Sequence, residues 1–209
     1  MRVLTFAIIY SLYRLRYRHL ERIPKKGPVI LVCNHVSYMD ALLIAGACRR
    51  PVRFVINASI YQIYPLTCIF RAVRAIPVPV EKPSPKSLQK ALQAISSVLD
   101  KGGVICVFPE GHLTRNGQVD RFFPGITRIV ARNPAPVVPM AISGLWGSFF
   151  THANGEAMKR FPRPFRFRPQ VELVVGRPVM PDQVTPDRLR EKVMALKRKR
   201  TDNKKSGWG

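Results

Sequence analysis

The sequence predicts a single α/β domain with a central, largely parallel or mixed sheet flanked by helices. Three observations lead there. Short apolar runs of strand type, at 29–33 and 103–108, end in polar loops. Segments of helical periodicity fill the intervals between such runs, the pattern of strand–helix–strand units. The length of 209 residues suits one domain with a substantial core.

Taken in order, residues 1–22 read as a helix. The apolar stretch 3–10 grades into Tyr13-Arg14-Leu15-Arg16-Tyr17-Arg18, a mixture suited to an amphipathic helix in a membrane interface. The plainer alternative is a helix packed on the domain with its arginines in water. Pro24-Lys25-Lys26-Gly27-Pro28 breaks this segment, and the strand 29–33 follows. A helix over 40–48, a strand over 53–56 and an apolar helix over 60–73, interrupted near Pro65, come next.

A strand-like piece at 75–78 leads through a proline-rich link, 79–85, to the helix 86–101. Ser84-Pro85 caps that helix, and Leu88, Leu92, Ile95 and Leu99 give it one apolar face. The strand 103–108, a helix at 125–133 and strands at 137–142 and 170–175 complete the sheet. A basic helix over 186–199 and a basic tail end the chain, so three regions are expected: 1–22, 23–185 and 186–209.

Composition narrows the class. Hydrophobic residues make up 46% of the chain, enough for a folded globule, and no apolar run reaches the roughly 18 residues of a membrane-spanning helix. Lys and Arg number 35 against 12 Asp and Glu, a net charge of +23 that calls for an anionic partner. Nucleic acid, an anionic membrane surface and phosphorylated substrates all qualify, but no nucleic-acid-binding motif is present. Cys33, Cys48, Cys68 and Cys106 sit inside apolar stretches without metal-site or redox spacing, so buried reduced thiols are expected and no metal is implied.

The chemistry-bearing residues cluster at two strand ends. Asn34-His35-Val36-Ser37-Tyr38-Met39-Asp40 places a histidine on the loop after the first strand and an aspartate in the opening turn of the next helix. A carboxylate there can hold one ring nitrogen and leave the other to take a proton, although a surface pair or a helix cap would read the same way. Ser37 reads as a loop or cap hydroxyl. Phe108-Pro109-Glu110-Gly111-His112-Leu113-Thr114-Arg115 repeats the logic at the end of a second strand. Glu110 can accept from hydroxyls, Gly111 lets backbone approach a ligand, and Arg115 can pair with phosphate. A tight turn with a solvated Glu and Arg is the competing reading.

The two junctions together, His35…Asp40 and Phe108-Pro109-Glu110-Gly111, resemble the glycerophospholipid acyltransferase (PlsC-type) superfamily, with Val137-Val138-Pro139 similar to its fourth block. The resemblance spans roughly residues 20–180. It implies transfer of a fatty acyl group from an acyl thioester, on coenzyme A or acyl carrier protein, to the hydroxyl of a lysophospholipid or acyl-glycerol-phosphate. It further implies His35 as base, Asp40 as its orienting group, and Glu110, Gly111 and Arg115 as acceptor-binding residues. No cofactor beyond the acyl donor is implied.

The second block departs from the pattern. Its glycine and arginine would fall on Arg74 and Val80, which leaves Arg71 or Arg74 to hold an acceptor phosphate. The spacing after Gly111 looks more like the acyltransferase module of bacterial 2-acylglycerophosphoethanolamine acyltransferases. Rival readings of the same fold are a membrane-binding pseudoenzyme and a thioester or lysolipid hydrolase. The basic–aromatic segment 159–168 and the basic C-terminus suit an anionic membrane surface, with the expected location peripheral, on the cytoplasmic face of a bacterial inner membrane.

Overall fold

The computed structural model describes residues 13–61, 67, 70, 71, 73–79, 84–154 and 169–205. Seven strands form one mixed sheet in the order β1-β7-β6-β2-β5-β3-β4. They are β1 (Arg14–Arg18), β2 (Val29–Cys33), β3 (Val52–Asn57), β4 (Ile76–Val78), β5 (Val104–Val107), β6 (Val137–Ser143) and β7 (Gln170–Val175). β2 pairs parallel with both β5 and β6, and β3 pairs parallel with β5 and β4. β7 runs antiparallel to β6, and β1 runs parallel to β7.

The central strands are apolar throughout because both faces of the sheet are covered. Alternate residues feed two cores. Val29, Leu31, Cys33, Cys106, Phe108, Met140 and Ile142 pack on one face with Leu43, Ile44 and Ala47 of α1 (Asp40–Ala47). Ile30, Val32, Ile105, Val107 and Ala141 face the other core. There they meet Ile95 and Leu99 of α3 (Pro85–Asp100), Ile126, Ile129 and Val130 of α4 (Gly125–Arg132), and Leu189 and Val193 of α5 (Pro186–Lys205). A single turn, α2 (Ala58–Tyr61), follows β3. The cap on α3 is as the sequence indicates: the Ser84 hydroxyl accepts the Ser87 N–H at 3.2 Å, with Pro85 opening the helix.

One expectation is corrected. Residues 14–18, placed in an N-terminal helix over 1–22, form the edge strand β1. Arg14, Arg16 and Arg18 are exposed while Leu15 and Tyr17 pack against the core, a period of two rather than 3.6. The backbone groups are satisfied by pairing with β7, in register Arg14↔Gln170 through Arg18↔Val174. Arginines also suit an edge, since charge discourages further strand addition. Residues 1–12, Pro65, Cys68 and the segment 159–168 lie outside the described residues. The final helix runs to Lys205 rather than 199. Cys33, Cys48 and Cys106 are buried and free of disulfides.

Register is what positions the site. β2 and β5 are neighbours, with Val32 opposite Val107. The same offset, carried three residues beyond that pair, sets His35 level with Glu110 where the two chains leave the carboxyl edge of the sheet. Ligands of open α/β sheets bind at that edge.

Candidate active site

The first junction is closed within seven residues. His35 Nδ1 donates to Asp40 Oδ2 at 3.0 Å, and the same oxygen accepts the Val36 N–H at 2.7 Å and the Ser37 N–H at 2.9 Å. Asp40 can reach them because the loop curls so that the first residue of α1 points back at the chain preceding it. The aspartate is fully buried, and its Oδ1 has no hydrogen-bond partner among the described residues. Ser37 is a loop hydroxyl, accepting the Met39 N–H at 3.2 Å.

A neutral imidazole that donates through Nδ1 to a carboxylate has its lone pair on Nε2, the arrangement a general base requires. The ring is further fixed by Phe108, stacked on it at 4.1 Å between centroids and 16° between planes. Its side chain is 16% exposed. Asn34 ties the loop to β6: its amide donates to Ile142 O at 3.0 Å and its carbonyl accepts the Ile142 N–H at 2.8 Å. The side chain thus extends the β2–β6 ladder one step past the end of the strand.

Glu110 is the second buried carboxylate, and its bonds reach far along the chain. Oε1 accepts the His35 N–H at 2.8 Å, and Oε2 accepts the Asp120 N–H at 2.8 Å. The Thr114 N–H adds a third tie by donating to His35 O at 2.9 Å. Burial raises the Glu110 carboxyl above its ordinary value, while the N–H groups of Asp120 and then His35 pull it down. The side chain is fully buried, and its two oxygens make it a bridge between two loops.

Gly111 holds φ at +71°, and its N–H is used by Phe108 O at 3.0 Å. It does line the cavity described next. Arg71, Arg74 and Arg115 are exposed and do not line it. Arg74 N–H instead closes a turn on Arg71 O, and Arg74 O accepts from Arg53 at 2.9 Å.

His35 lies on the wall of a cavity of about 310 Å³. The space runs from His35 and Phe108, past Ile56 and Phe70, to Leu92 and Ile95 on α3 and Ile129 on α4. Its lining is mostly apolar, and the polar exceptions include Tyr38, His112 and Arg128. Sequence reasoning passed over these last three together with Asn34 and Phe108. Asn34, Tyr38, Phe108 and His112 stand inside the two strand-end motifs, whereas Arg128 has no cue in the sequence. Such a space takes an alkyl chain by burial, at roughly 0.8 kcal/mol per methylene removed from water.

Comparison with known proteins bears on this arrangement. The family model described as Acyltransferase matches residues 14–143, more than half of the chain. The chain is 28% identical over 139 residues to the chloroplastic 1-acyl-sn-glycerol-3-phosphate acyltransferase LPAT1 of Arabidopsis thaliana, covering 65% of this chain and 38% of that protein. It is 26% identical over 133 residues to a probable 1-acyl-sn-glycerol-3-phosphate acyltransferase of Mycoplasma pneumoniae, covering 61% of this chain and 48% of that one. The matches therefore span less than half the length of either relative. The crystal structure of the 1-acyl-sn-glycerophosphate acyltransferase PlsC from Thermotoga maritima shares the fold, with a TM-score of 0.69 at 24% identity over 98% of this chain and 77% of that one. These matches do not bear on the likeness to the ethanolamine-type modules.

Proposed function

The chain belongs to the acyltransferase family, and from that premise we propose that it transfers a fatty acyl group from an acyl thioester to the hydroxyl of a lysophospholipid or acyl-glycerol-phosphate, in phospholipid synthesis or remodelling. The observation that carries the proposal is the His35–Asp40 pair, with its ring held by Phe108 at the wall of an apolar cavity.

In this reading His35 Nε2 takes the proton of the acceptor hydroxyl as its oxygen bonds to the thioester carbon. Asp40 holds the tautomer and stabilises the imidazolium formed. Positioned base catalysis of this kind is worth about 10²–10⁴-fold. Collapse of the tetrahedral adduct breaks the carbon–sulfur bond, and the proton on His35 passes to the departing thiolate, so ester and thiol are the products. No residue of the chain need be acylated, because the acceptor supplies the nucleophile. The acyl chain occupies the cavity between α3, α4 and the sheet.

His112 and Arg128, which line the cavity and can each carry positive charge, take the phosphate of the acceptor. Arg71, Arg74 and Arg115 do not line that space, which is why they are displaced from this role. The donor is acyl-coenzyme A or acyl carrier protein. No helix among the described residues is long and apolar enough to cross a membrane, and the basic surface suits peripheral attachment to an anionic bilayer.

The test is acyl transfer across a panel of lysophospholipids with both donor types, comparing wild type with His35→Ala. Transfer that depends on His35 is expected. Full activity in the variant would remove the base assignment, and release of free fatty acid without an acceptor would favour a hydrolase.

A further inference from the structure

Two cationic side chains of α5 hold the loop that follows β5. Arg190 donates Nε to Asp120 O at 3.0 Å and Nη2 to Val119 O at 3.2 Å. Lys197, two helical turns further on and so on the same face, donates Nζ to Gly117 O at 2.5 Å. Leu189 and Val193, beside them, anchor the helix in the core, so the clamp sits on a fixed support.

The same loop also bonds Glu110. Asp120 offers its carbonyl to Arg190 and its N–H to Glu110 Oε2, and Glu110 Oε1 takes the His35 N–H. A continuous run of hydrogen bonds thus joins α5 to the backbone of His35, through a carboxylate with no exposed surface. Lys197 is tied in electrostatically as well. Burial makes its ammonium easier to deprotonate, and the charge of Glu110 offsets this. Desolvating an ammonium to satisfy a loop carbonyl is costly, so the contact is not a by-product of packing.

We propose that Arg190, seconded by Lys197, is a positioning residue for acyl transfer, setting the height and tilt of His35 through Asp120 and Glu110. The inference rests on the acyltransferase reading of the site. It also extends that reading, because α5 lies beyond residues 14–143 matched by the family model. In this chain the C-terminal helix is part of the device that orders the base.

The experiment compares Arg190→Ala, Arg190→Lys, Lys197→Ala and, as a control on the same helix, Arg188→Ala, whose side chain bonds Gln183 on the preceding turn. Steady-state kinetics and amide hydrogen exchange at His35 and Asp120 are read on the full chain. Arg190→Ala should lower kcat by about 10- to 100-fold, the scale of a misplaced catalytic group, with KM little changed. Arg190→Lys, which can reach one carbonyl but not two, should recover part of the loss. Arg188→Ala should keep activity.

In a Glu110→Gln background Arg190→Ala should add little, since both act on the same link. Faster exchange at Asp120 and His35 should accompany the kinetic loss. Equal losses in Arg190→Ala and Arg188→Ala, full additivity with Glu110→Gln, or unchanged exchange would each overturn the proposal. Should wild type acylate no acceptor, the acyltransferase reading fails by itself, and exchange at the two amides still decides whether the clamp exists.

Discussion

The two strand-end junctions sit side by side and solve the same problem in different ways. After β2, the bonds that hold the His35 ring and Asp40 together come from residues 35–40, with three N–H donors gathered on Asp40 Oδ2. After β5, Glu110 spends one oxygen on a residue 75 positions back and the other on a residue ten positions ahead. The first is a local device that carries the chemistry in the proposed function. The second is a long-range brace between two loops. A buried carboxylate beside the proposed base is therefore not a second catalytic group by default; what its two oxygens touch decides.

The sharpest way to break that contrast is His35→Ala. Activity should fall by about 10²–10⁴-fold with the melting temperature nearly unchanged, since the side chain lies on a loop and removal leaves no buried donor stranded. Asp40→Asn should lose activity on a similar scale by disturbing the tautomer. It should also cost about 1–3 kcal/mol in a denaturant melt, because the Val36 and Ser37 N–H groups lose a charged acceptor.

Glu110→Gln should invert this profile. The amide keeps one acceptor and faces the second N–H with a donor, so a stability loss of about 1–3 kcal/mol is expected, with a smaller fall in kcat than for His35→Ala. If Glu110→Gln instead abolishes transfer while leaving the melt unchanged, the brace reading is wrong. Gly117→Ala probes the loop that α5 holds. Its φ of +77° and a Trp146 ring 2.9 Å from any added Cβ predict a loss on the order of 1–2 kcal/mol by thermal unfolding.

The smallest effect is a pH slope. Burial holds the Glu110 carboxyl above its ordinary 4.5, so the folded chain binds that proton more tightly than the unfolded chain does. Its contribution to stability is full below 4.5 and declines as pH rises through the raised value. Wild type should show that decline in denaturant midpoints as pH rises above 4.5, and Glu110→Gln should lack it.

Legibility in the sequence followed the same division. The His35–Asp40 pair was readable because five residues of loop and one helical turn fix the geometry, and the alternation of short apolar runs with periodic segments gave the sheet. Arg14 to Arg18 reads as the end of a helix but folds as a strand, even though Arg-Leu-Arg-Tyr-Arg alternates strictly. The apolar stretch before it invited continuation, and the partner strand begins only at Gln170. Glu110 stands out in the sequence as a motif carboxylate, but its bridging bonds do not, because their donors are backbone N–H groups that side-chain identity does not reveal. Arg115 looked suited to phosphate by position in a motif, yet it does not line the cavity, while Arg128 on α4 does.

By itself, then, the sequence determined the elements of the sheet core, the two strand-end motifs and the local pairing of base and carboxylate, since each depends on periodicity or on contacts within a few residues. Only the tertiary structure decided that the β2–β5 register sets His35 level with Glu110, that Glu110 bridges the loops of His35 and Asp120, that β1 closes the sheet edge, and that α5 reaches back to the loop beside the site. Those outcomes rest on hydrogen bonds between backbone groups far apart in the chain, and every residue carries such groups, so no residue type announces them.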